Sequence, residues 1–136
     1  MRSLFFSLFI LTSLLFSSEG YEVYKKNCSS CHVEMIQKSE ALKHFKTLKA
    51  PPMVEVSARL KENIIIKDDE EEIHRHLFVL FVKEYIENPQ LDYSMCTAAA
   101  IEHFGTMPAL ANKLTQQERQ AVAEWLYDRY ENVEFK

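Results

Sequence analysis

The chain has 136 residues, 26% of them charged, and sixteen basic against twenty acidic side chains give a formal net charge of −4. That length suits one domain and not two, and the mildly acidic balance argues against nucleic acid as a partner. Two glycines, Gly20 and Gly105, leave little material for hairpin turns, so an all-α fold is expected.

The first twenty residues, MRSLFFSLFILTSLLFSSEG, carry Arg2, a thirteen-residue apolar stretch from Leu4 to Phe16, and then small and polar residues. That order reads as a secretory signal peptide over residues 1–20, with Ser18 and Gly20 as the small residues before a cut after Gly20. The stretch is shorter than the roughly twenty apolar residues of a spanning helix, so a retained membrane anchor is the alternative. Removing twenty residues from 136 leaves 116, residues 21–136, as one exported domain with a periplasmic location. Cys28, Cys31 and Cys96 all fall in that domain, where free thiols are oxidised unless another chemistry claims them.

Tyr21 to Asn27 predicts a short helix delivering Cys28, and Glu34 to Lys46 a second one, interrupted by Pro51-Pro52. Val56, Leu60 and Ile64 fit a third helix from Met53. Ile64-Ile65-Ile66 is the one stretch that looks like a strand. Asp68 and Asp69 are expected to cap a fourth helix, with Glu70, Glu71 and Glu72 at the positive end of its dipole. Its body, from Ile73 to Val82, is apolar almost all round and should be well buried; Asn88-Pro89 stops it. A fifth helix is expected from about Tyr93 to Phe104, ending at Gly105, with Cys96 as a small buried hydrophobe. The last begins at Leu114-Thr115, where Thr115 and Glu118 form a capping box, and Val122, Trp125, Leu126 and Tyr130 define its apolar face.

The chemistry concentrates in Cys28-Ser29-Ser30-Cys31-His32. A structural zinc wants a second ligand pair that the sequence lacks, and a thioredoxin-like redox pair wants a βαβ unit. Covalent haem attachment accounts for each residue in turn, because two thiols add to the two haem vinyl groups and the next residue brings imidazole to the iron.

With Gly105-Thr106-Met107-Pro108 late in the chain and Glu124-Trp125-Leu126 in the last helix, the sequence resembles a small class I cytochrome c. The resemblance implies a monohaem fold in which the N- and C-terminal helices cross beside the haem, with Tyr24 and Trp125 at the crossing. It implies haem c held by Cys28 and Cys31, His32 as proximal and Met107 as distal iron ligand, and a proline carbonyl, Pro51 or Pro52, accepting from His32. Ala50-Pro51-Pro52 departs from the family's usual Gly-Pro. Met107 follows a helix-ending glycine in a loop that can cross to the far face of the haem. Met35 is tied to the proximal side, Met53 and Met95 are further methionines, and His44, His74, His76 and His103 are rival ligands.

The function so implied is single-electron transfer without chemistry on a substrate. The implied partners are redox proteins: a quinol-oxidising complex, a terminal oxidase or a periplasmic reductase. The alternatives are a haem enzyme or small-ligand sensor with an open or labile sixth position, and a cytochrome subunit fixed in a larger complex. Residues 63–88 lengthen the span from His32 to Met107 to 75 residues, which reads as an extra or extended central helix. The run Asp68 to Glu72 is either a solvated helix start or a steering patch for a basic partner.

Overall fold

A computed structural model describes residues 18–67 and 70–136, and among these residues it contains helices and no strands. The helices are α1 (18–27), α2 (Lys38–Lys43), α3 (Met53–Asn63), α4 (Glu71–Glu87), α5 (Ala98–Phe104) and α6 (Gln116–Arg129). Single 3₁₀ turns follow α2 at Phe45–Thr47 and α4 at Leu91–Tyr93. The expected all-α architecture with a long central helix is thereby observed.

α6 is the element on which the others pack. Its start is fixed locally: the Thr115 hydroxyl accepts from the Glu118 amide at 3.1 Å, and the Glu118 carboxylate accepts from the Thr115 amide at 2.8 Å. It buries Ala121, Val122, Ala123, Trp125, Leu126 and Tyr127, a wider band than the expected stripe, because helices cover it on more than one side. α1 crosses it where Gly20 lies against Ala121 and Trp125. Tyr24 stacks on Trp125 there with ring centroids 4.7 Å apart, a geometry that adds to the area both rings remove from water.

α3 is tied to the C-terminal half of α6 by polar bonds. The fully buried Ser57 donates its hydroxyl to the Leu126 carbonyl at 3.1 Å. Lys61 donates to the carbonyls of Tyr127 and Tyr130 at 2.9 and 3.1 Å, placing a cation on the negative end of the helix. α4 packs on the same end: Phe78 meets Tyr127 edge to face at 5.0 Å, and Arg75 makes two bonds to Asp128 at 2.9 and 2.8 Å.

Several expectations need correction. The second helix covers only Lys38–Lys43, because the Glu34 carbonyl and the Lys38 amide are engaged by Tyr130 and the Lys136 carbonyl instead of by a helical ladder. The isoleucine triplet is a connector, with Ile65 86% exposed. α4 buries Phe78, Val79 and Val82, while Ile73, Leu77 and Leu80 face outward, so its all-round apolar character is not matched by all-round burial. α5 starts at Ala98, capped by the Thr97 side chain, and Cys96 precedes it as an exposed thiol and not a core residue. The apolar leader segment and the Asp68 and Asp69 caps lie outside the described residues; Glu70 occupies the N-cap position without a side-chain bond.

Candidate haem site

α1 ends in a turn that sorts the five motif residues. The Cys28 carbonyl accepts from the amides of both Cys31 and His32, at 3.1 and 2.9 Å. Cys28, Cys31 and His32 thereby line one cavity, while Ser29 and Ser30 stay exposed. Ser29 is more than a spacer, because its hydroxyl donates to the Lys25 carbonyl at 2.6 Å and closes the end of α1.

The imidazole is oriented from behind. His32 Nδ1 lies 2.7 Å from the Pro51 carbonyl oxygen, an atom that can only accept, so Nδ1 carries the proton and Nε2 keeps its lone pair. Between the two candidate prolines the geometry therefore selects Pro51, despite the Ala50-Pro51 departure. Burial lowers the His32 pKa, with the Pro51 bond opposing it in part, which favours the neutral ring that a metal requires. Burial pushes the Cys28 thiol up to about 11, with the neighbouring Cys31 adding to the effect.

The carbonyls of His32, Val33 and Glu34 are each bonded to a different helix or its end. Tyr24 of α1 donates to the His32 carbonyl at 2.8 Å, the Met53 amide of α3 to Val33 at 2.8 Å, and Tyr130 at the end of α6 to Glu34 at 2.6 Å. Residues 32–34 are thus held without secondary structure of their own. The two phenols were expected only as packing groups, and their donor role could not be read from spacing.

The cavity has a volume of about 310 Å³. Its walls are mainly apolar, Leu60, Val82 and Leu126 among them, and the charged side chains on them are Lys49, Glu55 and Arg59. Such a space, apolar with a few polar groups, suits a flat apolar cofactor bearing charged substituents. Burial raises the Glu55 pKa, against the opposing pull of Arg59 and Lys38. This pair was not foreseen, since a Glu and an Arg four residues apart look like an ordinary surface pair on a helix.

Met107 is on the cavity wall, in the loop that follows Gly105. Gly105 has φ 67° and ψ −155°, a conformation that an L side chain rarely adopts. Met53 and Met95 also line the wall, Met53 through a backbone tied to residue 33 on the His32 side. The rival histidines are placed elsewhere. Both ring nitrogens of His74 have protein partners, Tyr127 Oη at 3.2 Å and the Lys61 carbonyl at 3.1 Å. His103 packs tilted against Phe45 with ring centroids 4.6 Å apart, His44 lies 3.7 Å from Glu40, and His76 is exposed. Among the described residues no three His, Cys, Asp or Glu side chains converge as a structural zinc site would need.

Paired thiols, an oriented imidazole and an apolar cavity on an all-helical frame define a c-type cytochrome domain. A family model described as cytochrome C oxidase, cbb3-type, subunit III matches residues 17–126, and the chain belongs to this family of c-type cytochromes. Membership makes it an electron-transfer haem protein, of a kind that carries covalent haem c, works with redox partner proteins and is generally a carrier and not an enzyme. The chain is also 41% identical over 121 residues to a protein of Aquifex aeolicus (strain VF5) named only as uncharacterized, covering 82% of this chain and 74% of that one. No solved structure matches it.

Proposed function

We propose that the protein is an exported monohaem cytochrome c that moves single electrons between respiratory or periplasmic redox proteins. Cys28 and Cys31 would hold the haem covalently, with His32 as the proximal and Met107 as the distal residue that would ligate its iron. The observation that carries this reading is the convergence of all four side chains on one cavity from two distant parts of the chain. Bound haem c would supply the one-electron couple, and ligation by a thioether together with an imidazole would favour a high potential.

The residues around the cavity divide the remaining work. Pro51 fixes the imidazole tautomer, and the carbonyl clamp from Tyr24, Met53 and Tyr130 fixes its position. Arg59 and Lys49 offer cations to the carboxylates of the cofactor. The stretch from Lys38 to Lys49 carries Lys38, Lys43, Lys46 and Lys49 against one acidic residue, Glu40, in a chain that is acidic overall. Lys49 is on the cavity wall, so this basic border supports docking of an acidic partner surface at the haem edge.

The test is expression of the full chain in a bacterium with active export and haem-attachment machinery, followed by a pyridine haemochrome assay and oxidised and reduced spectra. One haem per chain and a low-spin spectrum with a red-edge sulfur-to-iron band are expected. The band should vanish in Met107→Ala and survive in Met95→Ala; the reverse result moves the distal ligand to Met95. Rapid carbon monoxide binding to the reduced protein would instead favour a sensor or enzyme. The family description supports a second reading, a cytochrome subunit fixed in an oxidase complex, which co-purification tests.

A further inference from the structure

Gly20 is the residue after which a signal peptidase would be expected to cut, and it is also buried in the domain. A Cβ built on Gly20 would lie 2.3 Å from the Ala121 carbonyl oxygen and 2.4 Å from Trp125 Cβ. The backbones of α1 and α6 therefore touch at this position, and only a residue without a side chain permits the crossing. The preceding residue also belongs to the packed helix, with the Gln117 amide donating to the Glu19 carboxylate at 3.2 Å. A cut after Gly20 would delete this contact. It would strip the cover that Gly20 gives Ala121 and Trp125, 1% and 4% exposed in the intact fold, and place a charged amine on Tyr21, whose ring centroid lies 5.9 Å from that of Trp125.

An independent observation agrees. The family match begins at residue 17, so the common domain includes Ser18, Glu19 and Gly20. Processing upstream of the domain meets a second obstacle in the sequence. Signal peptidase wants small residues one and three positions before the cut. Ser18 and Gly20 are the one such pair between Leu4 and Gly20, since Leu15 precedes a cut after Ser17 and Phe16 one after Ser18.

We infer that the chain is not cut after Gly20 and that its apolar run Leu4–Phe16 stays joined to the domain, holding the cytochrome on a lipid bilayer. No helix among the described residues is long and apolar enough to cross a membrane. Residues 3–18 supply sixteen consecutive uncharged positions between Arg2 and Glu19, close to the lower limit of about 17 for a span. A haem domain so held meets membrane redox complexes in two dimensions, at an effective concentration set by its tether. The inference rests on the reading of the domain as exported.

The test uses the full-length haem-loaded protein. The intact mass of the purified chain is expected to include residues upstream of Leu4, and about nine-tenths of the haem should pellet with membranes after salt and carbonate washing and be released by detergent. A chain beginning at Tyr21, or haem in the soluble fraction, overturns the inference. Gly20→Ala separates the two readings further, because alanine is an equally good residue before a cut. If Gly20 is removed, the substitution is silent in the mature protein. If Gly20 is retained, the added methyl forces the helices apart and lowers the melting temperature by about 3–10 °C. Haem attachment, measured on the same samples, reports separately on the cytochrome reading.

Discussion

Replacing Tyr130 by Phe removes one hydroxyl from the clamp that holds residues 32–34 and leaves the ring in place. The ring is 2% exposed and packs edge to face on Trp125 at 6.1 Å, contacts that Phe retains. Only the 2.6 Å bond to the Glu34 carbonyl is lost. A neutral bond contributes about 0.5–1.5 kcal/mol, and a carbonyl left without its partner costs about 1–3 kcal/mol. Glu34 is only partly buried, so water recovers some of that cost, and about 1–2 kcal/mol is expected at pH 7. For a domain of this size the melting temperature should fall by about 3–8 °C.

The pH dependence gives this prediction a signature that a packing defect lacks. Burial raises the Tyr130 pKa well above its ordinary value, with the Glu34 charge adding to the effect. Below about pH 10 the phenol is protonated in both the folded and unfolded states, and its stabilisation is fully present. Above that point the unfolded chain releases the proton first, and the stabilisation is lost as pH rises towards the folded value. Tyr130→Phe has no such proton, so the gap between parent and variant should close in alkaline solution. Thermal melts followed by circular dichroism at pH 7 and across the alkaline range measure it. A gap that stays constant with pH would refute the buried-donor account.

Gly105→Ala places a side chain at φ 67° with open space around it, so the cost is conformational, about 1–3 kcal/mol; thermal melts should show the loss, and the red-edge band should weaken as the Met107 loop shifts. Glu55→Gln removes a carboxylate from the cavity wall and should raise the reduction potential near neutral pH, whereas Arg59→Gln should lower it. Because the Glu55 pKa is raised in the fold, parent and Glu55→Gln should converge as pH falls through that raised value, and spectroelectrochemical titration at several pH values reads this. Lys46→Glu, at an exposed position on the basic border, should slow electron exchange with an acidic partner at low salt and have less effect at high salt, as stopped-flow rates would show.

The elements that could be read from the sequence are those whose signals are local. The Thr115 and Glu118 box starts α6 because both bonds form within one turn, and Gly105 ends α5 because its own backbone conformation demands glycine. Cys28, Cys31 and His32 share the cavity because a single turn sorts them. The misreadings fall where distant groups decide. Glu34 to Gln37 have helical neighbours in sequence, yet Tyr130, 96 residues from Glu34, takes the first carbonyl of the expected helix. Glu55 and Arg59 follow a surface spacing, and only the cavity beneath them gives them another role.

The same distinction explains the central helix, which sequence alone could describe as an insertion but not give a role. α4 has different work along its length. In its first half His74, Arg75 and Phe78 meet Tyr127 and Asp128, fixing the far end of α6. In its second half Phe81, Val82, Tyr85 and Ile86 reach the cavity and form part of its wall. The Ile86 carbonyl also accepts the Leu110 amide at 2.9 Å, three residues beyond Met107. The helix therefore braces α6, which carries the crossing with α1, and anchors the loop that bears the distal candidate. A shortened α4 that kept its first half should leave the helix crossing intact while freeing the Met107 loop. Loss of the red-edge band with little change in helical signal would distinguish that outcome from general unfolding.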